Sequence, residues 1–126
     1  LQAGMHGSTF GGNHLSTSIG LEVLDIMRDE QICTHVSEMS ILLKKQLESK
    51  ISNFTSVMDI RVYGFMVGIE LKNNCAELVL KALQKGLVIN VTKEKIIRLL
   101  PPLICNEENI ISISDIIKEL IEENYE

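Results

Sequence analysis

Two hydroxyl side chains set among glycines, Ser8 and Thr9 in His6-Gly7-Ser8-Thr9-Phe10-Gly11-Gly12-Asn13, form the chain's most concentrated set of potential anion donors. The segment lies just ahead of a helical apolar pattern that begins at Leu15, so it reads as a loop feeding a helix amino terminus. Such a place suits a phosphate. Glycines let backbone N–H groups approach a ligand, hydroxyls add short donors, and the first helical turn offers unpaired N–H groups at the positive end of the dipole. A Gly-rich turn with Asn13 as N-cap would also simply start a helix, and spacing alone does not separate the two readings. The loop lacks the Gly-Lys-Ser/Thr ending of a P-loop and the strand-borne Gly-x-Gly-x-x-Gly of a dinucleotide site. The second candidate is Arg98, which alternates with Ile97 and Leu99 in an otherwise apolar run ending at Pro101-Pro102. A guanidinium there could point into a cleft and grip a carboxylate through two parallel hydrogen bonds, although a solvent-facing strand arginine is also common.

Other reactive side chains carry less. His6, His14 and His35 share no metal-ligand spacing. Cys33, Cys75 and Cys105 are widely spaced without a Cys-x-x-Cys pair, which suits reduced thiols of a cytosolic protein rather than a disulfide framework or a zinc site. Glu70 could be taken for a catalytic acid, but alternation sets it opposite Ile69, on an exposed or partner-facing side, and it is left out of the site.

The elements that must position Ser8, Thr9 and Arg98 follow from periodicity. Leu15, Ile19, Val23, Ile26 and Met27 recur at helical spacing behind Asn13, and a second helix carries Ile32, Val36, Met39, Leu43, Leu47 and Ile51 on one face. The period changes to two around Ile60 and Val62, then Val67, Ile69 and Leu71, a hairpin about Gly64-Phe65. A shorter helix through Val79 and Leu83 stops at Gly86. Strands over 88–91 and 95–100 flank Thr92-Lys93-Glu94, and Asn106 caps a last helix with Ile110, Ile113, Ile117, Leu120 and Ile121 inward. The expected class is α+β: two amino-terminal helices, then a small, mainly antiparallel ββαββα sheet with helices on one face. The domain expectation is a loop-and-helix segment over 1–51 and a small α+β domain over 52–126.

Length and the 45% apolar content allow a real core, and the net charge of −5 argues against nucleic acid or an anionic membrane surface. No apolar run reaches membrane-spanning length and no secretory signal is visible. A first residue other than Met, with a functional-looking loop at the terminus, suggests a piece of something longer.

The opening loop resembles the signature loop of class III, ornithine-type, pyridoxal-phosphate aminotransferases. Three further stretches resemble the same family in the same order: Arg61-Val62-Tyr63-Gly64-Phe65-Met66-Val67-Gly68-Ile69-Glu70-Leu71, Gly86-Leu87-Val88-Ile89-Asn90, and Ile97-Arg98-Leu99-Leu100-Pro101-Pro102-Leu103. The branch acting on acetylated ornithine is the most similar. The resemblance implies the carboxyl-terminal part of a fold-type I transferase, with pyridoxal 5′-phosphate as cofactor and small amino and oxo acids as substrates. It implies a cytoplasmic homodimer with shared active sites, in which Thr9 binds the phosphate of a cofactor held mainly by the neighbouring subunit. Ser8 would lie beside the substrate, and Arg98 would bind the substrate carboxylate. His14 stands where the family most often has Pro. The family's Schiff-base lysine lies upstream of this loop, and none of the nine lysines here has matching context, so no catalytic residue is assigned and the chain alone is expected to be inactive. Another class III aminotransferase (ornithine, succinylornithine, succinyldiaminopimelate or 4-aminobutyrate) would use the same residues. A stand-alone amino-acid-binding module usually runs β-α-β-β-α-β, an order this chain does not follow.

Overall fold

A computed structural model describes residue 2 and residues 4–126, in two compact units, Leu1–Cys33 and Thr34–Glu126. In the first unit, α1 (His14–Asp29) starts where the sequence places it: the Asn13 side chain accepts from the Ser16 N–H at 3.0 Å. That bond satisfies one of the N–H groups that a helix start leaves unpaired. Arg28 sits in the last turn, where a cation is favoured by the dipole, and pairs with Asp25 at 2.9 Å. No α1 residue is buried; Leu15, Ile19, Leu21, Val23, Leu24 and Ile26 are all exposed.

The second unit is built on a four-stranded antiparallel sheet in the order β1-β2-β4-β3. Its strands are β1 (Val57–Tyr63), β2 (Met66–Leu71), β3 (Asn90–Thr92) and β4 (Ile96–Leu99). Helices α2 (Ile32–Ile51), α3 (Leu78–Gln84) and α4 (Glu107–Tyr125) complete the predicted order. The pleat sorts the strands cleanly. Val67, Ile69, Leu71, Ile97 and Leu99 are buried with Leu43, Leu47 and Ile51 of α2, Leu78 and Ala82 of α3, and Ile110, Ile117, Leu120 and Ile121 of α4. One face of the sheet thus makes the core with the helices. The other face carries Asp59, Arg61, Tyr63, Met66, Gly68, Glu70, Asn90, Thr92, Ile96 and Arg98, none of them buried.

The turns follow local chemistry. Gly64, at φ 56°, joins β1 to β2, and Gly86, at φ 79°, follows the Lys85 cap of α3. Asn106 and Asn109 cap α4 reciprocally, each side chain accepting from the other's backbone N–H. Strands β3 and β4 are shorter than alternation predicts. The register that pairs Asn90 with Arg98 runs on towards Pro101, which has no N–H to donate, so the ladder stops before Val88 and Leu100.

Candidate functional site

In the amino-terminal unit, the loop is closed by its own hydroxyl: the Ser8 Oγ accepts the Gly11 N–H at 2.8 Å and keeps its proton for another acceptor. A side chain at 11 would crowd this closure. A Cβ there would lie 3.0 Å from both the Cβ and the Oγ of Ser8. Gly12 has φ 74°, and every residue from Gly4 to Gly12 is exposed. The Thr9 hydroxyl makes no hydrogen bond to the described residues, so its donor is available. Exposed hydroxyl donors on a glycine-shaped turn, ahead of a capped helix, fit a phosphate group. They offer nothing that would hold an aldehyde covalently, and residues 1–33 contain no lysine.

Arg98 belongs to the other unit, Thr34–Glu126. It stands on the open face of the sheet, exposed, and lines a hollow of about 540 Å³ whose other walls include Leu87, Val88, Asn90, Leu100, Pro101 and Pro102. The lining is almost wholly apolar, with Arg98 and Asn90 as its polar groups. This suits a substrate with an aliphatic chain and one carboxylate.

The register reveals what alternation could not. Arg61 pairs with Gly68, Gly68 with Arg98 and Arg98 with Asn90, so one row across the sheet reads Arg61, Gly68, Arg98, Asn90. The two arginines have opposite fates. Arg61 donates to Asp59 at 2.6 Å and, through both terminal nitrogens at 3.2 Å, to one oxygen of Glu70. Lys95 takes the other Glu70 oxygen at 3.4 Å. Hydrogen bonds from Arg61 first and Lys95 second hold the Glu70 carboxyl below the usual carboxylate range. Arg98 has no carboxylate partner among the described residues. Both arginines, with Tyr63, Met66, Gly68 and Thr92, line a smaller hollow of about 230 Å³. Glu70 does lie on the side opposite Ile69, as expected, but that side is also Arg98's.

The remaining candidates are structural. His35 Nε2 is 2.9 Å from the Cys105 carbonyl oxygen, and His6 and His14 are exposed. Among the described residues no group of His, Cys, Asp and Glu could hold a metal ion. Cys75 and Cys105 are buried free thiols, and burial pushes Cys75 up to about 11, so neither is a ready nucleophile at neutral pH. Several lysines are engaged on the surface: Lys50 with Asp115, Lys85 with Glu119 and Glu123, Lys95 with Glu70. No helix of the described residues is long and apolar enough to cross a membrane.

The model of one protein family, described as aminotransferase class-III, matches residues 1–121. Among curated proteins, the chain is 38% identical over 120 residues to acetylornithine aminotransferase 1 of Bordetella parapertussis, covering 95% of this chain and 30% of that relative. It is 40% identical over 111 residues to ornithine aminotransferase 1 of Staphylococcus aureus, covering 87% of this chain and 27% of the relative. Among solved structures, ornithine aminotransferase from Plasmodium yoelii superposes with a TM-score of 0.87 at 30% identity, covering 98% of this chain and 33% of that one. The chain therefore spans about a third of the length of the proteins it matches.

Proposed function

The chain belongs to the class-III aminotransferase family, whose members use pyridoxal 5′-phosphate on the fold-type I architecture, and from that premise we propose that it is the carboxyl-terminal portion of an acetylornithine aminotransferase. The whole enzyme would move an amino group between N-acetylornithine and 2-oxoglutarate, in the cytoplasm, as a step of arginine biosynthesis. When bound, the cofactor would supply an electron sink for the carbon bearing the transferred amino group, the terminal carbon of N-acetylornithine or the α-carbon of glutamate. This chain's residues bind and orient. Thr9 donates its hydroxyl to the cofactor phosphate, contributed across the interface of a homodimer, and Ser8, already accepting from Gly11, turns its remaining proton towards the substrate. Arg98 clamps the carboxylate of the amino or oxo acid, and Val88, Leu100 and Pro102 offer an apolar wall beside it for the substrate chain. The proton-moving lysine comes from outside this chain, which is therefore inert alone.

A single observation carries this reading: of the two arginines in one row on the open sheet face, Arg61 is neutralised and Arg98 is not. In the full-length enzyme, Arg98→Lys keeps the charge but loses the fork geometry. Losing one charge-assisted contact should raise KM for glutamate and for 2-oxoglutarate roughly ten- to a hundredfold, with cofactor content unchanged. Unchanged kinetics for both acids would refute the assignment. The similarity to an ornithine aminotransferase keeps ornithine as a second donor. Steady-state comparison of N-acetylornithine with ornithine decides between them, because kcat/KM ratios measure discrimination directly.

A further inference from the structure

The open face of the sheet sets a problem that Arg98 alone cannot solve. Neighbouring strands are about 4.8 Å apart, so Arg61 and Arg98, two strands apart with only Gly68 between them, are separated at their backbones by roughly 10 Å. Both line the smaller hollow above Gly68, and Arg98 also lines the larger apolar one, so Arg98 is the guanidinium the two hollows share. A carboxylate arriving there would meet two guanidinium groups, and could settle on either or between them. A substrate captured by Arg61 would sit displaced by up to two strands, and displacement on the order of 1 Å can already cost about a hundredfold in rate.

We propose that Glu70 is a positioning residue: by engaging Arg61 it leaves Arg98 as the one guanidinium in this hollow open to the substrate carboxylate. Four observations converge on it. Glu70 Oε2 accepts from both terminal nitrogens of Arg61 at 3.2 Å, while Oε1 is held by Lys95 at 3.4 Å, so the carboxylate is fixed from two sides. Asp59 takes Arg61 from its own strand at 2.6 Å, which adds a second restraint. The Arg61 head also packs against Gly68. The position of an ideal Cβ at 68 is 3.7 Å from Arg61 Nε and 3.9 Å from Nη2, so the Arg61 head lies across the space a larger side chain would fill. Finally, Glu70 pairs with Ile96, two residues from Arg98, and Ile96 offers the carboxylate nothing polar. The masking is reciprocal, since Arg61 and Lys95 also keep Glu70 from turning to Arg98 and closing the site with an internal ion pair.

The inference rests on the substrate reading of Arg98, and the test keeps the two apart. In the full-length, cofactor-loaded enzyme, Glu70→Gln, Arg61→Met and the double variant are compared with Arg98→Lys. Two readouts are taken: kcat and KM for glutamate, and the calorimetric Kd of glutarate, a dicarboxylate with no amino group to transfer. Glu70→Gln leaves Arg61 with only the Asp59 carboxylate as ionic partner and its guanidinium half open, so kcat should fall about tenfold while KM for glutamate and Kd for glutarate stay level or tighten. Arg61→Met frees the carboxylate instead, and should weaken glutarate several-fold. Removing both should return each constant to within about twofold of the parent, a non-additivity that simple loss of structure does not produce. Asp59→Asn, which strips only the second restraint, should move kcat in the same direction by less, and serves if Glu70→Gln does not fold. Constants for Glu70→Gln (or its substitute) equal to the parent's, or a double variant no better than the worse single one, would overturn the proposal while leaving Arg98 in place. An Arg98→Lys enzyme with unchanged KM and glutarate Kd would instead remove the substrate reading, and this inference with it.

Discussion

At Gly11 the missing side chain has a measurable use. The Cβ of an alanine would have to sit 3.0 Å from the Ser8 Cβ and Oγ, so Gly11→Ala crowds the Ser8 side chain, which must shift by a few tenths of an ångström against its bond to the Gly11 N–H. In the full-length enzyme this variant should lose pyridoxal phosphate on dialysis faster than the parent, as followed by absorbance, with its secondary structure intact by circular dichroism. Thr9→Val removes a donor without reshaping the turn and should weaken retention too. Retention equal to the parent's in both variants would reduce the loop to a helix start. Glu70 adds a pH dependence. Its folded carboxyl lies below its ordinary value of 4.5, held there by Arg61 and Lys95, so its contribution to stability is fully present above that value and is lost as pH falls through the lowered one. Thermal melts of the parent and Glu70→Gln should therefore differ most at neutral pH and converge in acid. Ser8, Thr9 and Arg98 were legible as residue types in suggestive places. The Arg61–Glu70 mask was not, because it depends on which strands pair and in what register, and alternation tells only which side of its own strand a residue faces.

Element by element, the chain announced itself where local rules act alone. The change of hydrophobic period after Ile51, the stop at Gly86 and the cap at Asn106 all lie where short-range chemistry sets them. The order β1-β2-β4-β3 was hidden, since nothing in a strand's own residues says which partner lies on its far side. The extent of β3 was hidden for another reason: Pro101, which follows β4, limits the ladder from the partner strand, not from within β3. Two predictions belong here. Asn106→Ala opens the reciprocal cap of α4, whose Ile110, Ile117 and Leu120 fill the core, and should cost about 1 kcal/mol in chemical denaturation. Replacing Glu94 with glycine should do the opposite. Glu94 and its neighbour Lys93 hold φ of 62° and 49° in the turn that delivers β4, a conformation costing a non-glycine residue about 1 kcal/mol. The strained turn persists because the loop after β2 pins it, with the Cys75 N–H donating to the Glu94 carbonyl at 2.8 Å. Glu94→Gly keeps that backbone bond and should raise the unfolding midpoint.

For the whole molecule, the decisive property is that a phosphate-fitting loop and a carboxylate-fitting arginine occur in a chain whose first 33 residues hold no lysine. Two-fold assembly would place such a loop on a neighbour's cofactor, and symmetry would make two composite sites at once. Mixing subunits tests this. A dimer joining a Thr9→Val subunit to one without its cofactor-bearing lysine would gather both defects in one site and leave the other whole, recovering about half the sites. No recovery in verified mixed dimers would place the loop in its own subunit. Helix α1 makes a separate demand. Its apolar side chains from Leu15 to Ile26 are exposed and only Met27 is partly buried, so its sixteen residues rest largely on a cap, an Arg28–Asp25 pair and their own backbone bonds, near the lower limit for a helix standing free in water. In deuterated buffer, the amides of α1 in this chain alone should exchange within the dead time of a manual experiment, whereas those of α4, anchored by Ile117 and Leu120, should exchange only when the core itself opens. The deuterium uptake of those sixteen residues therefore measures how much order the rest of the enzyme must lend them.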